Sequence, residues 1–168
     1  MLPQDQIIAV LAGHRTFAGI DPKAWGTFID AGAVVALSPD EVVYDKGQTH
    51  SAGYVLVSGR LEIVDEPYPG RRLCTQLFSA GSLFAEGGFI KHWEHRRRCT
   101  AIESSVALAV ESHAFNDLVE SGNVVALRII DRLLDEFVLD VREANQRLDE
   151  VYARPDRTLR RLQALQAG

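Results

Sequence analysis

Cysteine is scarce: only Cys74 and Cys99 occur in 168 residues, far apart and without a C-x-x-C spacing. That excludes a disulfide scaffold, and both read as buried free thiols in a reducing compartment. Cys74 alone would not hold an iron–sulfur cluster. Long apolar runs are missing too, since no stretch approaches the roughly 20 residues of a membrane-crossing helix. The start, MLPQDQIIAVLAGHR, puts polar residues ahead of a short apolar stretch and does not read as a signal peptide. A cytoplasmic protein without a membrane partner is expected. Cations are outnumbered, 18 Lys and Arg against 23 Asp and Glu, and the net charge of −5 argues against direct DNA binding, which needs a basic face. No serine sits in a Gly-x-Ser-x-Gly elbow and no Gly-Lys-Ser phosphate loop occurs. No catalytic residue is therefore assigned, and the chain is not expected to be an enzyme. The five histidines, His14, His50, His92, His95 and His113, are scattered. His92 and His95, on either side of Trp93 and Glu94, read as a solvated loop, and no metal is expected.

What is present is an ordinary globular composition, 46% hydrophobic and 24% charged, on a chain of one-domain size. Three regimes follow one another. Ile7, Ile8 and Leu11 lie at helical spacing over residues 4–12. Asp21-Pro22 then supplies an N-cap with proline at the first helical position, Gly32 stops that helix, and Trp25, Phe28 and Ile29 form its buried side. From residue 33 short apolar segments take over: 34–37, 42–44, 54–57, 61–64, 73–78 and 106–110. Turns such as Ser38-Pro39-Asp40, Lys46-Gly47-Gln48, Ser58-Gly59-Arg60 and Ala80-Gly81 separate them. Short strands with Gly and Pro turns and no helical crossovers read as an antiparallel sandwich or roll, not a doubly wound parallel sheet. Ser112 can cap a short helix through Val119. Asn123 can cap a second one running to Arg154, where Pro155 stops it.

That last helix carries the clearest periodicity. Leu127, Ile130, Leu134, Phe137, Val141, Ala144, Leu148 and Val151 alternate spacings of three and four, an a/d seam of about three to four heptads. In its first half Ile129, Leu133, Val138 and Leu139 widen the apolar surface and are expected to dock on the β domain. In its second half Arg142, Glu143, Asn145, Gln146, Arg147, Asp149 and Glu150 belong in water. A homodimer through residues 124–154 is expected. The chain thus parses into a β-roll domain with N-terminal helices (1–123), a dimer helix (124–154) and a short tail (155–168). The tail is too short for a helix-turn-helix pair.

The segment Gly81-Ser82-Leu83-Phe84-Ala85-Glu86-Gly87-Gly88-Phe89-Ile90 sets one carboxylate ahead of two glycines, whose backbone N–H groups can approach a phosphate closely. The following strand begins Arg96-Arg97-Arg98-Cys99-Thr100, and arginine offers two-pronged donation to phosphate oxygens. Strand alternation puts Arg97 on one face and Arg96 and Arg98 on the other.

This order of elements, with turn glycines at Gly47, Gly59 and Gly81, resembles the cyclic-nucleotide-binding domain of the catabolite-activator superfamily over roughly residues 5–150. Phe84-Ala85-Glu86 is similar to the phosphate-binding cassette's Phe-Gly-Glu, and Arg97-Arg98-Cys99-Thr100 to its Arg-Ser/Thr-Ala-Thr. The resemblance implies an α+β fold: an antiparallel, jelly-roll-like β-roll flanked by N-terminal helices and a long C-terminal dimerisation helix. It implies cAMP, or else cGMP, as ligand. Glu86 would accept the ribose 2′-hydroxyl, Arg97 would pair with the cyclic phosphate, and amides near Gly87 and Gly88 would complete the cradle. Phe84, Ala85, Arg98 and Thr100 make up the remainder of the implied site. Arg97 is preferred over Arg96 and Arg98 because it places Cys99 at the family's alanine position. Two departures stand out: Ala85 replaces the cassette glycine, and Arg98 stands where a small hydroxyl residue is usual. The expected function is a cyclic-nucleotide sensor signalling through its dimer helix to an unidentified downstream protein. The alternatives are a ligand-free interaction module of the same fold, or the sensory part of a transcription regulator.

Overall fold

The computed structural model describes residues 3–68, 70–91 and 93–153, in two compact units, Met1–Ile129 and Ile130–Gly168. In the first unit, helix α1 (Gln4–Ala12) buries Ile7 and Leu11. After a 3-10 turn at Arg15–Phe17 comes α2 (Pro22–Asp30), where Asp21 Oδ1 accepts the Lys23 amide at 2.8 Å and Trp25, Phe28 and Ile29 are buried. Phe17, Trp25 and Phe28 pack edge-on, with ring centroids 5.0 and 6.0 Å apart. The helical start therefore forms as its spacing and caps require.

The strands are β1 (Ala33–Leu37), β2 (Val42–Tyr44), β3 (Thr49–His50), β4 (Ala52–Ser58), β5 (Leu61–Tyr68), β6 (Arg71–Phe78), β7 (Leu83–Phe84), β8 (Trp93–Glu94), β9 (Arg98–Ala101) and β10 (Ser105–Glu111). They form one four-stranded sheet of order β1-β10-β4-β7, a second of order β2-β9-β5-β6, and a two-stranded ribbon β3-β8. All described pairings are antiparallel. The core lies between the two four-stranded sheets. Leu37, Leu56, Phe84 and Ala107 from the first meet Tyr44, Leu61, Phe78, Cys99 and Ala101 from the second. Each fully buried Leu or Phe contributes about 1.5–3 kcal/mol, so this interface fixes the roll. The turn glycines Gly47, Gly59 and Gly81 all have φ between 83° and 89°, a left-handed conformation open to glycine.

Two details differ from the sequence expectation. Ser112 does not cap the next helix, α3 (Ser112–Glu120): Ser112 is its first residue and the capping position is Glu111. Cys74 is exposed, not buried, because β6 is an edge strand of its sheet. Cys99 is buried as expected.

Helix α4 (Val124–Ala153) is 30 residues long, about 45 Å at 1.5 Å per residue. Asn123 Oδ1 accepts the Val125 and Ala126 amides at 3.0 and 3.2 Å, and its Nδ2 donates to the Ala24 carbonyl at 3.0 Å. The foreseen cap thus also ties the start of α4 to α2. Within the second unit, Arg132 pairs with Glu136 and Arg147 with Glu143 along the helix. Leu134, Phe137, Val141, Leu148 and Val151 of the seam are exposed. Val138 and Leu139, expected to dock, are also exposed. Arg154, Pro155 and the 155–168 tail lie outside the described residues. Among the described residues no helix is long and apolar enough to cross a membrane.

Candidate functional site

The turn after β7 carries the glycine-flanked carboxylate. Phe84 belongs to the core, stacked on Tyr54 with centroids 5.0 Å apart and leaning on Phe78 at 5.9 Å, so it anchors the turn. Ala85 follows with φ 50° and ψ 38°, a left-handed backbone that glycine adopts freely and alanine does not. This strained residue opens a 3-10 turn, Glu86–Phe89. Gly88 is fixed by close approach: a Cβ there would overlap the backbone of Ala52 on β4. Its amide donates to the Ala85 carbonyl at 2.9 Å. The Gly88 N–H is therefore held inside the turn and is not offered to a cradle.

Glu86 is half-buried, and its carboxylate is felt at the phenol of Tyr44. Burial pushes the Tyr44 phenol far up, and the neighbouring Cys99 thiol and Glu86 carboxylate add to it. The Cys99 thiol is itself pushed up to about 12 by burial, while the Tyr44 hydroxyl donates to its sulfur. Tyr44 also stacks on His95, centroids 3.7 Å apart and planes at 14°. His95 Nε2 lies 3.3 Å from His50 Nδ1, and backbone bonds from Gly47 N–H to His95 O and from His95 N–H to Gln48 O lock this corner at 2.8 and 2.9 Å. His95 is 4% exposed, the reverse of the solvated loop expected. Burial lowers its pKa to about 4, with His50 adding to the effect. His92 lies outside the described residues. No group of three candidate metal ligands occurs among the described residues.

The arginines are arranged differently from the sequence expectation. Cys99 and Ala101 point into the core, while Arg98 and Thr100 take the outer face of β9. Arg98 grips Asp45 two-pronged, Nε to Oδ1 at 3.1 Å and Nη2 to Oδ2 at 2.6 Å. That guanidinium, with the Lys46 amide, holds the Asp45 carboxyl below its usual range. Arg97 was expected on the opposite face from Arg98. It precedes β9, in a bend, so alternation does not reach it. It lines the same outer cleft as Arg98 and Thr100, a space of about 560 Å³, and its Nη1 donates to Thr75 Oγ1 at 3.4 Å. The structure thus brings Arg97, Arg98 and Thr100 together on one side of the sheet. Glu86, with Tyr44 and Cys99, is gathered on the other. The Tyr44–His95–His50 stack was not foreseen. Tyr44 was hidden because alternation would put it on the same face as the exposed Val42, and a register shift between the two in the pairing of β2 with β9 turns it inward instead.

An antiparallel roll with helices at both ends carries the glycine-flanked carboxylate on the turn after β7. Residues 34–121 match the cyclic nucleotide-binding domain family, and the chain belongs to that family. Its fold is that of the N-terminal domain of a transcriptional regulator from Streptomyces coelicolor, at 19% identity and a TM-score of 0.65 over 79% of this chain and 94% of that one. The catabolite activator protein of Thermus thermophilus is likewise similar, at 19% identity and a TM-score of 0.67 over 81% of this chain. The match spans 62% of the Thermus chain. The regulatory domain of Toxoplasma gondii PKA, crystallised with cAMP, superposes at 17% identity and a TM-score of 0.57 over 72% of this chain and 46% of that one. Comparison with curated proteins gives no significant match.

Proposed function

We propose that the chain is a cytoplasmic regulatory domain that binds a cyclic mononucleotide, cAMP in preference to cGMP. It would signal through a homodimer along α4 to a downstream protein. The observation that carries this is Glu86, half-buried ahead of paired glycines and close enough to the buried Tyr44 to act on its phenol, in a roll of this family. Glu86 would accept the ribose 2′-hydroxyl, and Arg97 would swing from Thr75 to the cyclic phosphate. Its hydrogen bond there is long and its side chain exposed, so it can be released, and the bend before β9 would have to turn it from the outer cleft toward Glu86. Ligand would then shift an equilibrium between two states by its difference in affinity for them. Arg97→Ala should weaken binding most, by about 2–5 kcal/mol where the ion pair is desolvated.

A second reading has its own support. Arg98 is held by Asp45, the Gly88 amide by Ala85, and Ala85 is strained in the place of a glycine. These favour a domain of the same fold that has given up the nucleotide and acts as an interaction module. Titration calorimetry with cAMP and cGMP separates the two. Micromolar binding of cAMP supports the sensor, and absence of heat with either nucleotide at millimolar concentration supports the module.

A further inference from the structure

The outer cleft lies on the solvent side of the β2-β9-β5-β6 sheet, away from Glu86. Five carboxylates and three cations line it. Arg98 is neutralised by Asp45, which leaves Asp40, Glu62, Asp65 and Glu66 against Lys46 and Arg97, so the field inside is set by the excess of acids. Apolar surface runs between them: Val42 and Ile102 are exposed side chains and Val64 lies on the floor. A second observation is independent of the charges. Thr100, at the centre of the sheet between Val42 and Glu62, is 8% exposed, and its Oγ1 is buried without a hydrogen-bond partner. Buried hydroxyls are rarely left so, and those that are often mark a place for a ligand group.

A small cation would leave the apolar track in water, and an anion would meet an excess of carboxylates. A long side chain with an apolar stem and a cationic, multiply donating head satisfies both, and that describes arginine. We propose that this cleft is a docking site for an arginine-bearing segment of a partner protein. The stem lies along Val42, Val64 and Ile102. The guanidinium donates to the carboxylates of Asp65 and Glu66 and to the Thr100 hydroxyl. The cleft shares Arg97, Arg98 and Thr100 with the implied nucleotide site, but Asp65 and Glu66, the carboxylates that would hold the guanidinium, lie outside it, so substituting them tests the peptide and not the nucleotide.

The test is fluorescence anisotropy with a fluorescein-labelled Gly-Arg-Gly-Arg-Gly-Arg-Gly peptide, with amide chemical shifts followed in parallel. Saturable binding is expected, with shifts concentrated on β2, β9 and β5. Combining Asp65→Asn with Glu66→Gln should weaken binding at least about tenfold, as loss of charge-assisted hydrogen bonds does. Asp40→Asn serves as a second probe, because asparagine tolerates the φ of 65° found there. Thermal melts establish that each variant is folded. Equal binding by the double variant, stronger binding of a glutamate counterpart of the peptide, or shifts spread evenly over the acidic surface would each overturn the proposal.

Discussion

At the scale of single residues, Ala85 in a left-handed backbone and the half-buried Glu86 stand next to each other in the turn after β7. Alanine at φ 50° pays a steric cost that glycine avoids. Ala85→Gly is therefore expected to raise stability by roughly 0.5–1 kcal/mol in urea denaturation, although glycine ordinarily destabilises through the unfolded chain. A loss on substitution would mean that the Ala85 methyl, which packs in the core, outweighs the strain. Glu86→Ala should weaken a cyclic nucleotide by about 1–3 kcal/mol, the range for a buried hydrogen bond. It should also abolish discrimination against the 2′-deoxy analogue. Calorimetry on wild type and variant with both ligands forms a cycle. Strictly additive losses would show that Glu86 does not touch that hydroxyl.

At the scale of elements, the β3–β8 ribbon is the titrating corner of the molecule. His95 is buried against Tyr44 (β2) and His50 (β3), with the Glu86 carboxylate and the Cys99 thiol beyond the phenol. Its folded pKa of about 4 lies below the ordinary 6.5, so the native state binds fewer protons than the unfolded chain between those values. The stability this confers is complete above pH 6.5 and falls as the pH drops to about 4; the total is on the order of 3 kcal/mol. Denaturation midpoints measured from pH 7 to pH 4 should decline, and His95→Phe, which keeps a ring on Tyr44, should flatten the decline. An equal slope in the variant would assign the acid sensitivity to other groups. The sequence announced the helices here better than the ribbon. Asp21 and Asn123 are caps with local signatures, and the apolar segments gave the sheets. A two-residue strand such as Trp93–Glu94 has no periodicity to detect, and its pairing with Thr49–His50 is fixed by contacts distant in the chain. The turn that carries Glu86 was legible from its glycines. The placement of Arg97 and Arg98 was not, because the strand starts at Arg98, two residues later than alternation assumed.

At the scale of the whole chain, the apolar seam of α4 is exposed, with Leu134 at 55% and Val141 at 59%. A stripe of this kind is the surface that the dimer proposed above would bury. Leu134→Glu combined with Val141→Glu is expected to convert a dimer to a monomer in light scattering, since each charge would be buried at the seam at a cost of several kcal/mol. A dimer that survives both changes would place the interface elsewhere. With a net charge of −5, these 168 residues should bind duplex DNA weakly and without sequence preference in a mobility shift at physiological salt. Selection of one operator over random duplex would contradict this. The exposed thiol of Cys74 on the edge strand also has a practical side, because Cys99 is sealed in the core. A maleimide spin label should attach at Cys74 alone, giving the unaltered chain a built-in reporter for distances between protomers by electron paramagnetic resonance. The same thiol can join two chains in air, so a dimer seen without reductant counts for nothing until it survives dithiothreitol.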